Sequence, residues 1–162
     1  PAESIAWLAD NCHAPIFADP VSTVKAEKLR PVLGKLHTLK PNRLEAELLS
    51  GVPITGTDSL HRAAQTLLET GLHRVFISLG ADGVYAADQS GSVTLPAPKA
   101  EMVSTTGCGD SFMAALTWAY LQGSDLERSA RAGLAASSLT MESAETIHPS
   151  MSEAELLRRM AL

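Results

Sequence analysis

From Ser104 to Phe112 the chain reads Ser-Thr-Thr-Gly-Cys-Gly-Asp-Ser-Phe, a small, glycine-bearing run that leads into an apolar helical pattern. Such a turn presents unpaired backbone N–H groups at the positive end of a helix dipole, which suits a phosphate or a developing phosphoryl charge. A carboxylate at that position, Asp110, repels a resting phosphate. Its presence makes sense where it takes a proton from an attacking hydroxyl, so the implied chemistry is phosphoryl transfer to an alcohol. The plainer reading of Gly107-Cys108-Gly109-Asp110 is a turn followed by an Asp that caps a helix, and spacing alone does not separate the two.

A second candidate is Asn42-Arg43-Leu44-Glu45, preceded by Lys40-Pro41. Asn followed three residues later by Glu is a capping box, in which each side chain accepts from the other's backbone N–H at a helix start. The functional reading places the pair at the C-terminal end of a strand, where open α/β sheets bind ligands. There Asn42 and Glu45 would organise a hydrated Mg²⁺ beside nucleotide phosphates. Ser78-Leu79-Gly80-Ala81-Asp82-Gly83 follows an apolar run, and its glycines suit either a simple β-turn or a close backbone approach to a nucleotide. Asp19-Pro20 ends another short run, either facing the same crevice or starting a turn. His37 lies between apolar residues and is read as a core histidine with no catalytic role.

These groups need a scaffold that brings strand ends together. Short β-rich runs at Pro15 to Ala18, Leu36 to Leu39 and Val75 to Leu79 alternate with helical patterns at Ala26 to Leu33, Arg43 to Leu49 and Ser59 to Glu69, the signature of parallel βαβ units. The almost wholly apolar Val75 to Leu79 is the expected central strand, buried on both faces. Turns at Asp82-Gly83 and Gln89-Ser90-Gly91 lead into Val84 to Ala87 and Val93 to Leu95, an antiparallel edge. Further helices are expected over Ser4 to Asn11, Ser111 to Leu121 and Leu126 to Met141. In the last of these, Ala132, Ala135, Ala136 and Leu139 recur at helical spacing and imply tight helix contacts. Ser150 with Glu153 reads as the capping box of a final helix.

Composition bounds the rest. The 162 residues, 45% hydrophobic, suffice for one core. Thirteen Lys and Arg against eighteen Asp and Glu give a charge of -5 without long like-charge runs, which argues against a general nucleic-acid or anionic-membrane binder. Apolar runs fall far short of the roughly 20 residues that span a bilayer, and no basic-then-apolar leader opens the sequence, so a soluble cytoplasmic chain is expected. Cys12, Cys108 and the five histidines show no metal-ligand spacing, so no His or Cys metal site is expected.

In this order, Asp19-Pro20, Asn42-x-x-Glu45, Ser78-Leu-Gly-x-x-Gly83 and Thr105-Thr-Gly-Cys-Gly-Asp110 resemble the motifs of the ribokinase-like (phosphofructokinase-B-type) family of carbohydrate and nucleoside kinases. Ile16 to Lys25 and Leu36 to Gly51 look most like its nucleoside-phosphorylating members. The resemblance covers nearly all of this chain but only the C-terminal half of the family's usual length. It implies a three-layer, Rossmann-like α/β fold with a mostly parallel sheet and an antiparallel edge. The N-terminal half and substrate lid would be missing, leaving residues 1–162 as the nucleotide-binding part of a single domain. By the same resemblance, Asp110 would be the base that deprotonates the substrate hydroxyl, and the backbone of Gly107, Cys108 and Gly109 the anion hole. Asn42 and Glu45 would sit in the Mg²⁺ and phosphate network. Ser78, Gly80, Gly83 and Thr106 would attend the nucleotide, and the two helices after Asp110 would flank its adenine. ATP and Mg²⁺ are the implied cofactors and a small sugar or nucleoside the substrate; a homo-oligomer is left open.

Two departures from the family pattern stand out. Ser104 replaces an Asp that helps bind an activating monovalent cation, which leaves K⁺ dependence open although Thr106 remains. Cys108 replaces the usual Ala, and at a helix N-terminus its thiol is expected to acidify and react with alkylating agents. Because the absent half carries the sugar-binding segment and the lid, the resemblance implies little turnover by this polypeptide alone, and uncovered apolar surface that favours self-association. A kinase for another sugar or nucleoside, and a nucleotide-binding module without catalysis, remain alternatives; Asp110 favours catalysis, since a mere binder has no need of a base.

Overall fold

The expected βαβ alternation is realised in the computed structural model, which describes residues 1–161. Three strands run parallel: β1 (Phe17–Ala18), β2 (Thr38–Leu39) and β3 (Arg74–Ser78), in a register that sets Ala18 opposite Leu39 and Leu39 opposite Val75. β4 (Val84–Asp88) and β5 (Gly91–Leu95) complete a five-stranded sheet in the order β1-β2-β3-β4-β5. The connections 79–83 and 89–90 are far shorter than the dozen or so residues that a parallel crossover needs, so the chain reverses at each and the sheet ends as a hairpin. β3 is the middle strand, and Val75, Phe76 and Ile77 are buried in it.

The helices are α1 (Ala2–Asn11), α2 (Thr23–Ala26), α3 (Arg43–Ser50), α4 (Thr57–Glu69), α5 (Cys108–Leu121), α6 (Leu126–Met141) and α7 (Glu153–Met160). Two expectations are corrected. The helix read over Ala26 to Leu33 is instead the end of α2 followed by a 3₁₀ stretch, Glu27–Lys35. Pro31 lies inside that stretch; it has no N–H for an i−4 carbonyl and its ring crowds the preceding turn, which favours the tighter winding. The final helix is capped by Ser152, whose side chain accepts from Glu155 N at 3.3 Å, not by Ser150. Ser150 is held in a turn: its N–H donates to His148 Nδ1 at 3.1 Å, while Met151 N donates to His148 O.

The chain forms two compact units. The first comprises Pro1–Leu79 with Tyr85–Val93, the second Gly80–Val84 with the residues from Thr94 on. In the first, Leu33 of the 3₁₀ stretch, Leu36 just after it, Leu67 of α4 and Leu39, Val75 and Ile77 of the sheet share one core. Each fully buried Leu or Ile there contributes about 1.5–3 kcal/mol relative to exposure. In the second, α5 and α6 meet through alanines, Ala115 and Ala119 against Ala132, Ala135 and Ala136, with Leu156 of α7 completing the cluster. Among the described residues no helix is long and apolar enough to cross a membrane.

Candidate active site

The loop before α5 is built around Gly107, the N-cap, whose φ of 84° lies in the left-handed region. A Cβ at Gly107 would also fall 2.4 Å from the Thr146 carbonyl oxygen, so both conformation and space require glycine there. Cys108 N donates to Thr105 O at 3.3 Å, Thr106 N to Ser104 Oγ at 3.2 Å and Ser111 N to Gly107 O at 2.9 Å. Among the described residues, the Gly109 and Asp110 N–H groups meet no acceptor, and no side chain caps the helix. A 14-residue helix thus opens on free donors, as an anion hole requires.

Asp110 is exposed and stands at the edge of a cleft of about 490 Å³, with Ser111, Ala114, Trp118, Ile147 and Met151 along it. Ser111 and Thr140 share a hydrogen bond of 2.6 Å that ties α5 to α6. A second cleft of about 550 Å³ lies where Leu95 to Lys99 face Arg131 and Leu134 of α6 and Arg159 of α7. Arg159 grips Glu142 with two bonds, 2.9 and 2.7 Å, and holds that carboxyl below its ordinary range. The expectation that the Cys108 thiol acidifies is corrected. Burial pushes it up, outweighing its hydrogen bonding with Ser137, and so favours the protonated thiol.

In the first unit the capping box is present in full. Asn42 Oδ1 accepts from Glu45 N at 3.0 Å, and Glu45 Oε2 accepts from Asn42 N at 2.9 Å. The helical and ligand-binding readings of this motif therefore share one geometry. Glu45 is only 2% exposed, and among the described residues it has no ion-pair partner. Asn42 also bridges to Ser78 in parallel, and Ser78 N donates to Pro41 O at 2.9 Å, so the C-terminal ends of β2 and β3 are stitched together beside the start of α3.

Of the glycines after Ser78, Gly80 has φ 63° with open space where a Cβ would stand. Gly83 instead packs against the Leu95 carbonyl, a structural role for the second glycine of that motif. His37 is stacked between Phe17 and His73, with ring centroids 5.2 and 5.4 Å away, immediately before β2.

Two features at the β1 end escaped sequence reasoning. Lys40, 6% exposed, pairs with Asp19 Oδ2 at 2.8 Å, and Asp19 Oδ1 accepts from Val21 N at 3.0 Å. Val21 has φ 67°, a left-handed conformation that costs a β-branched residue about 1–3 kcal/mol. The only signal for the pair was a lysine placed between Leu39 and Pro41 in an otherwise apolar run.

Residues 2–154 match the model of the pfkB family of carbohydrate kinases, and the chain belongs to that family. It is similar to the pseudouridine kinase of Escherichia coli strain K12, 40% identical over 157 residues, which are 96% of this chain and 50% of that protein. A solved Clostridium perfringens chain described as a sugar kinase superposes with TM-score 0.95 at 36% identity, over 99% of this chain and 52% of its own. The ribokinase of Thermotoga maritima superposes with TM-score 0.84 at 25% identity, over 100% and 54%. The fold is thus the ribokinase-like α/β fold with its mostly parallel sheet, and the chain spans about half the length of the curated relatives it matches.

Proposed function

We propose that this chain carries the nucleotide-handling part of an ATP-dependent kinase that phosphorylates a sugar hydroxyl of a nucleoside, converting pseudouridine to its 5′-phosphate. The observation that carries the reading is the α5 terminus, where two free amides stand beside an exposed carboxylate. The 40% identity to a pseudouridine kinase supports the choice of nucleoside.

In the proposed step the 5′-oxygen attacks the γ-phosphorus, its proton passes to Asp110, and ADP leaves with the bridging electrons. The free Gly109 and Asp110 amides of the Gly107-Cys108-Gly109-Asp110 turn, where the Cys108 N–H is already engaged by Thr105 O, meet the charge that develops on the transferred group. Thr106 precedes that backbone, while Ser78 and the open Gly80 attend the nucleotide, and α5 and α6 flank its adenine. Mg²⁺, when bound, would neutralise charge on the phosphates. Asn42 and Glu45 fit it through water: both offer hard oxygens, and Glu45 is a buried carboxylate with no cation partner among the described residues, an arrangement that a hydrated divalent ion completes. Ser104 carries no charge, so activation by K⁺ is expected to be weak.

The test is calorimetric titration of the chain with the magnesium complex of a non-hydrolysable ATP analogue, beside Gly109→Glu. Binding by the native chain that the glutamate abolishes while the helical spectrum is retained supports the reading. A folded native chain that gives no binding heat, or a Gly109→Glu variant that binds equally well, overturns it. For the complete enzyme, Asp110→Asn is expected to slow transfer to pseudouridine by about 10²–10⁴-fold, and an unchanged rate would leave a nucleotide-binding module as the better description.

A further inference from the structure

Between α4 and the β4–β5 hairpin lies a cleft that plays no part in the proposed reaction. Its volume is about 340 Å³, at the small end of the range for small-molecule sites, and all of its lining residues belong to the first unit. Arg74, the first residue of β3, pairs with Asp88 at 3.4 Å, so the hairpin turn stands at the end of the sheet opposite Asn42 and Ser78. From Arg74 to Ser78 the strand runs about 13 Å.

The cleft exists because small residues face each other: Ala64 of α4 and Ala87 of β4, both buried, leave a slot beside Leu68. Tyr85, two residues before Ala87 and so on the same sheet face, closes one side and is only 4% exposed. Its hydroxyl meets His61 Nδ1 at 2.8 Å, with the two rings edge to face. In either neutral tautomer of His61 that bond uses one donor and one acceptor of the couple and leaves one of each. What remains is Nε2–H with a lone pair on the phenol oxygen, or the phenol O–H with the Nε2 lone pair. Gln65, one turn along α4 from His61, adds an amide that both donates and accepts, and among the described residues its side chain has no partner in the protein.

The opposite wall is fixed in place. Asp88 Oδ1 accepts from Ser90 N at 2.8 Å and from Ser90 Oγ at 2.5 Å, while its other oxygen faces Arg74. Among the described residues no lysine or arginine lines the cleft, and Glu69, one turn beyond Gln65, is in no ion pair. A phosphate or carboxylate would therefore meet unbalanced negative charge, whereas an uncharged ligand can use the donors and acceptors without that repulsion.

We infer that this cleft is a second binding site, for an uncharged molecule that presents a hydrogen-bond donor and an acceptor side by side. Two sources have that chemistry: the adjacent N–H and C=O of a nucleobase, and the vicinal hydroxyls of a sugar. The His61–Tyr85 couple and the Gln65 amide read the pair of polar groups, and the slot along Ala64, Leu68 and Ala87 takes the apolar face. The inference stands apart from the kinase reading and does not depend on it.

Heteronuclear NMR titration of the isotope-labelled chain with millimolar uracil, ribose, uridine and uridine 5′-phosphate tests it. Uracil or ribose is expected to shift the amides of His61 to Glu69 and of Asp88 to Ser92, and whichever does so identifies the source. Uridine is expected to bind more tightly than its 5′-phosphate, because the phosphate meets Glu69. Tyr85→Phe, which keeps the ring and removes the hydroxyl, should weaken binding about tenfold, the loss of one hydrogen bond. Gln65→Ala changes an exposed residue, so it tests the site even if Tyr85→Phe fails to fold, and should weaken binding about threefold or more. The inference is overturned if neither uracil nor ribose shifts these amides, if the shifts centre on Asn42 and Ser78 instead, or if the 5′-phosphate binds more tightly than uridine. It is equally overturned if a folded variant binds as the native chain does. None of these results bears on the kinase reading, which the ATP analogue tests separately.

Discussion

Replacing Gly133 by alanine adds one methyl group to α6 where an ideal Cβ would lie 2.3–2.6 Å from three ring carbons of Phe112. Ordinary carbon contacts are about 3.5–4 Å, so the ring must retreat by about 1 Å or the helices must part. Phe112 is only 4% exposed and belongs to the packed face of α5, which leaves it little room. The same substitution in an open helix interior stabilises by about 1 kcal/mol, since alanine is the better helix former. Overpacking a sealed site costs about 1–3 kcal/mol and sometimes more, and the clash here is severe enough for the upper part of that range. The expected net loss is about 1–2 kcal/mol, read as a lower urea midpoint at unchanged slope by far-ultraviolet circular dichroism. A variant as stable as the parent, or more so, refutes the packing argument. Phe112→Leu supplies an internal check: in the double variant the shorter side chain should admit the methyl group, and the combined loss should fall short of the sum by about 1 kcal/mol. Simple additivity would show that the two residues do not compete for space.

Arg159→Met leaves the Glu142 carboxylate without its two-pronged partner and is expected to cost about 1–3 kcal/mol in the same unfolding assay, since the pair is 11% and 26% exposed. Because Arg159 holds the Glu142 carboxyl below its ordinary 4.5, the pair's stabilisation is full above that pH and fades as the pH falls below it. The acid limb of the stability profile should therefore be shallower in Arg159→Met. For His37 the direction is the same but the window is higher: burial first, then His73 and Arg74, depress its value below 6.5 in the folded chain, so the unfolded chain binds the proton more readily. Stability should be full above pH 6.5 and decline below it, and His37→Phe, which keeps a ring between Phe17 and His73, should remove that decline. Iodoacetamide should label Cys108 at neutral pH more slowly than it labels glutathione, followed by mass spectrometry, because burial raises the thiol; faster labelling refutes this.

Much of the architecture was legible because local chemistry and tertiary packing agree. The Asn42–Glu45 capping box and the alanine spacing that makes α6 run from Leu126 to Met141 each state their structure in a few residues. Illegible features arise where short-range signals compete. A helical apolar pattern over Ala26 to Leu33 survives in what is buried, Leu29, Val32 and Leu33, while Pro31 changes the winding beneath it. Serines at 150 and 152 are equally good caps in isolation, and the turn made by His148 decides between them. The glycines between Ser104 and Asp110 made a turn opening a helix on free donors legible, but the state of Cys108 depends on burial, which the helix-terminus argument ignored. Lys40 and Asp19 are 21 positions apart and meet only through strand register, which no local pattern encodes.

The contact between Gly107 and Thr146 sets a rule for how this protein can vary. The glycine is pressed against a backbone carbonyl, a group that nearly every residue type presents alike, so most identities at position 146 preserve the fit so long as the side chain stays small near the loop. Chain length is another matter: one residue gained or lost between the end of α6 at Met141 and the cap at Ser152 would slide a different carbonyl, or none, under the turn that opens α5. Apart from Glu142, paired with Arg159, and His148, which sets the turn before α7, the segment from Glu142 to Met151 can therefore change more readily in composition than in length, an inversion of the tolerance that surface connections usually show.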